Sequence, residues 1–154
     1  MIKYVDTLVC FSEVPDEITL AINISGCPIR CPNCHSKYLW EDIGESLDRD
    51  SLYSLIENHK GITCVAFMGG DANPNDINNL AEFIRAKYPK LKIAWYSGRQ
   101  ELSNDINLEC FDYIKLGPYM EEFGPLNSRS TNQRMYKVHN GELEDITNKF
   151  WKER

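Results

Sequence analysis

The chain has 154 residues, of which 42% are hydrophobic, enough for a single domain spanning residues 1–154 with a core of its own and no disulfide staples. A formal net charge of −6 speaks against a surface that tracks phosphates, so nucleic acid is not an expected partner. No apolar run approaches the roughly 18 residues needed to span a bilayer. The first ten residues carry Lys3 and Asp6 without a secretory apolar stretch, so the expected compartment is the cytoplasm, with no membrane partner.

In chain order, the β-branched run Ile18 to Ile24 reads as a strand, and Asp50 to His59 as an amphipathic helix with Leu52, Leu55 and Ile56 on one face. Ile62 to Met68 is a continuous apolar run of the buried-strand type. It is followed by a helix from Asn75 to Tyr88 whose Ile77, Leu80, Ala81 and Ile84 share a face, with Pro74 suited to its first turn and Pro89 to its end. Leu91 to Tyr96 is a third strand, a short polar helical stretch is expected near Gln100 to Asn107, and Tyr113 to Leu116 is a fourth strand. This alternation is α/β and predicts a parallel sheet. Met135 to Val138 and Leu143 to Ile146 flank Asn140-Gly141, a two-residue turn signal, so the chain is expected to close on an antiparallel C-terminal β-hairpin. The loop from Gly117 to Gln133 is the one long stretch without periodicity, and long loops in compact domains are often functional.

Six cysteines without a signal peptide point to thiol or metal roles rather than disulfides. Cys27, Cys31 and Cys34 fall in one short loop directly after the first strand, a spacing able to wrap three corners of a cubane cluster and leave one iron open. A structural zinc site typically takes two separated ligand pairs, and no second pair exists here. A ferredoxin caps all four irons with cysteine, and no fourth lies nearby, although Cys10 could fold back as one. Cys10, Cys64 and Cys110 read as small buried residues, and His59 and His139 as helix-end and hairpin surface residues.

The CxxxCxxC loop after a first strand resembles the signature of the radical S-adenosylmethionine superfamily. That resemblance implies a [4Fe-4S] cluster held by Cys27, Cys31 and Cys34. The uncapped iron would chelate S-adenosyl-L-methionine and cleave it reductively to methionine and a 5'-deoxyadenosyl radical. Met68-Gly69-Gly70-Asp71, which ends the second strand, is similar to the superfamily's GGE segment that receives the methionine amino group. Gly70 there is expected to leave room for the methionine moiety. Tyr96-Ser97-Gly98 ends the third strand in the same way. A parallel sheet would gather these turns and Leu116-Gly117-Pro118 along its carboxyl edge, where such folds place ligands. At 154 residues the chain is too short for a full barrel of about 250, so the expected fold is a partial, open (β/α) barrel of the radical SAM type.

Within that superfamily the chain resembles the anaerobic ribonucleoside-triphosphate reductase activating proteins from Ile18 to Phe150. The resemblance is carried by Ser25-Gly26-Cys27, by Cys31-Pro32-Asn33-Cys34-His35 with Trp40, by Gly70-Asp71 with Pro74, and by Asn127 to Arg134. It implies cofactor contacts from Asn33, Cys34, His35, Gly69, Gly70, Asp71 and Ser97, and no catalytic side chain beyond cluster and cofactor. The implied partners are an anaerobic ribonucleotide reductase that receives a glycyl radical and a flavodoxin-like or other low-potential reductant. The alternatives are activation of another glycyl-radical enzyme, or a non-catalytic iron-sulfur protein that transfers electrons.

Overall fold

The structure, a computed structural model, describes residues 2–11, 13–26 and 43–151. Among these residues, eight strands form one mixed sheet: β1 (Lys3–Cys10), β2 (Thr19–Ile24), β3 (Glu45–Ser46), β4 (Cys64–Met68), β5 (Lys92–Tyr96), β6 (Tyr113–Leu116), β7 (Arg134–His139) and β8 (Glu142–Asp145). Their order across the sheet is β3-β1-β2-β4-β5-β6-β7-β8. The centre, β2-β4-β5-β6, is parallel, and the strands outside it pair antiparallel.

Among the described residues, two α-helices supply the crossovers from β2 to β4 and from β4 to β5. The first, α1 (Arg49–Glu57), starts on a capping box in which Asp48 accepts from Ser51 N while the Ser51 hydroxyl serves Asp48 N. The second, α2 (Pro74–Lys87), has proline in its first turn and buries Ile77, Leu80, Ala81 and Ile84. Both pack on the same sheet face, where Leu20, Ile22, Val65, Phe67, Ile93, Trp95 and Ile114 make a core with Leu52 and Ile56 of α1. The α/β alternation and the β7–β8 hairpin around Asn140-Gly141 are those the sequence predicts.

Three features differ from the expectation. The N-terminal strand β1 has no clear alternation in its sequence because it lies near the sheet margin, where Asp6 and Leu8 are both exposed. The two-residue β3 is too short to carry a pattern. The stretch Gln100 to Asn107 forms turns, and only Leu108–Cys110 makes a single 3-10 turn, which Asn107 caps by accepting from Glu109 N.

Because side chains alternate along strands, the second sheet face is lined by a different set. One level across it reads Ala21, Ala66, Ala94 and Tyr113; the next level toward the carboxyl ends reads Asp6, Asn23, Met68, Tyr96, Lys115 and Met135. Chain segments rather than helices cover this face. Val14, fully buried, packs on it from the stretch after β1, as do Ile146, Leu126 and Phe150.

Candidate functional site

At the carboxyl ends of β2, β4, β5 and β6, four turns are tied to one another. After β2, Ser25 donates from Oγ to Ile43 O at 2.5 Å, so the residues flanking 27–42 are held side by side at the end of that strand. Gly44 is required there, because a Cβ would stand 2.1 Å from the Tyr4 carbonyl oxygen. Cys27, Cys31, Cys34, Asn33 and His35 themselves lie outside the described residues.

The turn after β4 holds Gly69 and Gly70, both with positive φ, followed by Asp71, which is 2% exposed. Gly69 N donates to Tyr96 O at 3.0 Å and its carbonyl accepts from Trp95 Nε1 at 2.7 Å. The Asp71 carboxylate accepts from Ser97 Oγ at 2.5 Å and from Gly98 N at 2.9 Å, and the Arg99 guanidinium donates to its carbonyl at 3.2 Å. Charge-assisted bonds of this kind are the strong ones, and they lock the Gly-Gly-Asp turn to the Tyr-Ser-Gly turn. The two motifs that the sequence brings to one sheet edge are therefore in direct contact.

Asp71 and Ser97 thus act first on each other, and the groups they leave for a ligand are backbone atoms of the turns they shape. At Gly70 the space that the absent side chain leaves is filled by α2. A Cβ there would stand 2.6 Å from Ile77 Cδ1 of α2, so a branched side chain would strike the helix core instead of the methionine space. A side chain at position 70 would therefore disturb α2, and the positive φ of 92° adds strain of its own.

Lys115, in the middle of an apolar strand, is a site residue that pattern reading misses. It is 8% exposed, and its Nζ donates to Ser97 O at 3.0 Å and to Gly117 O at 2.9 Å, 5.8 Å from the Tyr96 ring centre. A buried cation needs such partners. The signal available in the sequence is the lysine itself, interrupting Tyr113 to Leu116.

The Asn127 to Arg134 block shapes the long loop. Ser130 Oγ donates to Phe123 O at 2.7 Å, Thr131 Oγ1 to Gly124 O at 3.3 Å, Asn132 Nδ2 to Pro118 O at 3.0 Å and Gln133 Nε2 to Gly117 O at 3.4 Å. Its polar residues therefore fold the loop back on the turn that Lys115 also holds.

Among the described residues no group of three His, Cys, Asp or Glu side chains could hold a metal ion. Cys64 and Cys110 are buried thiols and Cys10 is half-buried. Burial pushes the Cys64 thiol far above its ordinary value, which keeps it protonated and a poor ligand. His59 Nδ1 lies 2.7 Å from Leu55 O just past α1, and His139 pairs with Glu144 on the exposed hairpin.

A family model described as "4Fe-4S single cluster domain" matches residues 18–136, most of the chain and the whole of the Cys27 to Cys34 loop. The chain belongs to the 4Fe-4S single cluster domain family. Membership indicates a [4Fe-4S] cluster, and the matched residues include Cys27, Cys31 and Cys34. No curated protein and no solved structure matches the chain. No helix among the described residues is long and apolar enough to cross a membrane.

Proposed function

We propose that the chain is a radical S-adenosyl-L-methionine activase that generates a glycyl radical on an anaerobic ribonucleoside-triphosphate reductase. One observation carries this reading. In a member of a single-cluster family, the CxxxCxxC loop follows β2 directly, and the Gly-Gly-Asp and Tyr-Ser-Gly turns are hydrogen-bonded to each other at that same sheet edge.

The residues fit the two groups. Cys27, Cys31 and Cys34 would hold the cluster and leave one iron for the cofactor. Backbone of Gly69 and Gly70, held in its cradle by Trp95, Tyr96 and Asp71, would meet the methionine end, together with Ser97. Asn33, Cys34 and His35 would meet the adenine end. When bound, the cluster supplies the electron that cleaves the cofactor, and the cofactor supplies the hydrogen-abstracting group. The protein's part is to hold both against the acceptor and to keep the turns fixed, which the buried Asp71-Ser97-Lys115-Gly117 network does.

A partial, open barrel is the form of sheet this reading takes, and contacts across the open face support it. Asp16, just past β1, pairs with Lys149, just past β8, at 3.8 Å, although these strands lie near opposite ends of the order. Between the two segments runs a cleft of about 880 Å³, lined among others by Phe11, Glu13, Leu126 and Phe150. An opening on that side suits a loop of a protein substrate better than a small molecule.

The test is anaerobic reconstitution with iron and sulfide, followed by electron paramagnetic resonance of the reductase from the same source after addition of S-adenosyl-L-methionine and a low-potential reductant such as a flavodoxin. A glycyl signal is expected, absent when the acceptor glycine is alanine and absent with Cys27→Ala, Cys31→Ala or Cys34→Ala, each of which should abolish iron binding. Cofactor cleavage with a signal only on another glycyl-radical enzyme would move the choice of partner. A cluster that never cleaves the cofactor would leave an electron-transfer protein.

A further inference from the structure

The cleft between the segment after β1 and the segment after β8 has apolar walls, with Phe11, Leu126 and Phe150 among the residues that line its volume of about 880 Å³. Its charged groups are Glu13, Asp16 and Lys149. Lys149 lies 3.8 Å from Asp16 and is spent on it. Among the described residues nothing pairs with the Glu13 carboxylate, by hydrogen bond or by ion pair. That side chain is partly buried, and burial pushes its carboxyl above the ordinary carboxylate range. A charge drawn out of water without a partner costs free energy, and a cation brought to it recovers that cost.

Two contacts hold this carboxylate in place. Val14, the next residue, is fully buried against the loop-covered sheet face, so the backbone beside Glu13 is anchored to the core. The Glu13 carbonyl also accepts from the Tyr96 hydroxyl, and Tyr96 opens the Tyr-Ser-Gly turn. The cleft wall and the carboxyl-edge site are thereby joined through one side chain. Whatever Glu13 binds is positioned relative to that turn.

We propose that Glu13 is a specificity residue for the protein substrate, its carboxylate receiving an arginine side chain from the segment that carries the acceptor glycine. The inference rests on the activase reading above and adds to it the chemistry of the segment recognised. A guanidinium suits the cleft better than an ammonium, because its fork matches a carboxylate and its plane stacks on aromatic rings such as Phe11 and Phe150. Its stem can lie along the apolar wall at Leu126. A metal ion is a poor occupant, since Asp16 is already paired and Glu13 alone offers too few oxygen ligands. An acidic segment would meet the unmatched charge as repulsion, so the same residue that admits one partner rejects others. The volume lies within the roughly 300–1,000 Å³ of ligand pockets, enough for a few residues of chain and not for a folded element.

The test uses the full chain after anaerobic cluster reconstitution and the reductase from the same source, with affinity read by isothermal titration calorimetry. Glu13→Gln keeps the shape and removes the charge, and should weaken reductase binding by about thirtyfold. Iron content, circular dichroism and S-adenosyl-L-methionine affinity by equilibrium dialysis should stay as in the wild type. On the partner, each arginine near the acceptor glycine is replaced by glutamate in turn. One such variant should bind the wild-type chain weakly and recover affinity with Glu13→Arg. Unchanged reductase affinity in Glu13→Gln overturns the inference and leaves the activase reading standing, as does a charge swap that restores nothing. A loss shared equally by cofactor and reductase also overturns it, because Glu13 would then act through the fold. A wild-type chain that cleaves the cofactor but neither binds nor activates the reductase removes that choice of partner, and the inference falls with it.

Discussion

The two faces of the central sheet are made from the same strands by alternate residues, and they do different work. On the helix face one level reads Ile22, Phe67, Trp95 and Ile114, every one of them fully buried under α1 and α2. On the opposite face the adjoining level reads Ala21, Ala66, Ala94 and Tyr113, and the covering comes from loops. Large side chains on one face pack against helices, and small ones on the other are buried under the segments that carry Val14, Leu126, Ile146 and Phe150. Two different cores are thus built on one sheet by the two-residue period of a strand.

Substitutions on the two faces should therefore differ in kind. The largest effect is expected from Phe67→Ala on the helix face, which removes a fully buried ring and should cost about 3–5 kcal/mol in chemical denaturation. A cost below about 1 kcal/mol would mean that the helices do not pack on this face as described. Cofactor affinity in whatever fraction stays folded should be little changed.

The carboxyl edge should respond the other way. Asp71→Asn keeps the size of the side chain but turns an amide donor toward Ser97 Oγ or Gly98 N, loosening the link between the two turns. Binding of S-adenosyl-L-methionine, measured by equilibrium dialysis on reconstituted protein, should weaken by about tenfold, equivalent to roughly 1.4 kcal/mol, with iron content intact. Unchanged affinity in a folded, iron-loaded Asp71→Asn protein would remove this pair of turns from the site.

The smallest effect belongs to the loop-covered face away from the edge. Cys64 is fully buried beside Thr19 and its thiol stays protonated, so Cys64→Ala should leave iron content unchanged and cost about 1 kcal/mol or less in stability. Iron lost with Cys64→Ala to the extent lost with Cys31→Ala would make Cys64 a ligand and collapse the distinction between the cysteine loop and the scattered cysteines.

Local pattern alone was enough for β2, β4, β5 and β6, for α1 and α2 and for the hairpin at Asn140-Gly141, though not for β3 or the turns of Gln100 to Asn107, because apolar period and turn chemistry are properties of neighbouring residues. The cysteine spacing and the Gly-Gly-Asp and Tyr-Ser-Gly turns were legible for the same reason. Only the tertiary structure decided what those turns do to each other. Asp71 and Ser97 are 26 residues apart, and their bond exists because parallel β4 and β5 end level, a register that no local pattern encodes. It also decided that Gly70 faces Ile77 and that Lys115 is tied to Ser97 and Gly117. It decided too that β1 joins the sheet at all, since the burial that selects this strand is set by β2 across the ladder and not by the strand's own residues.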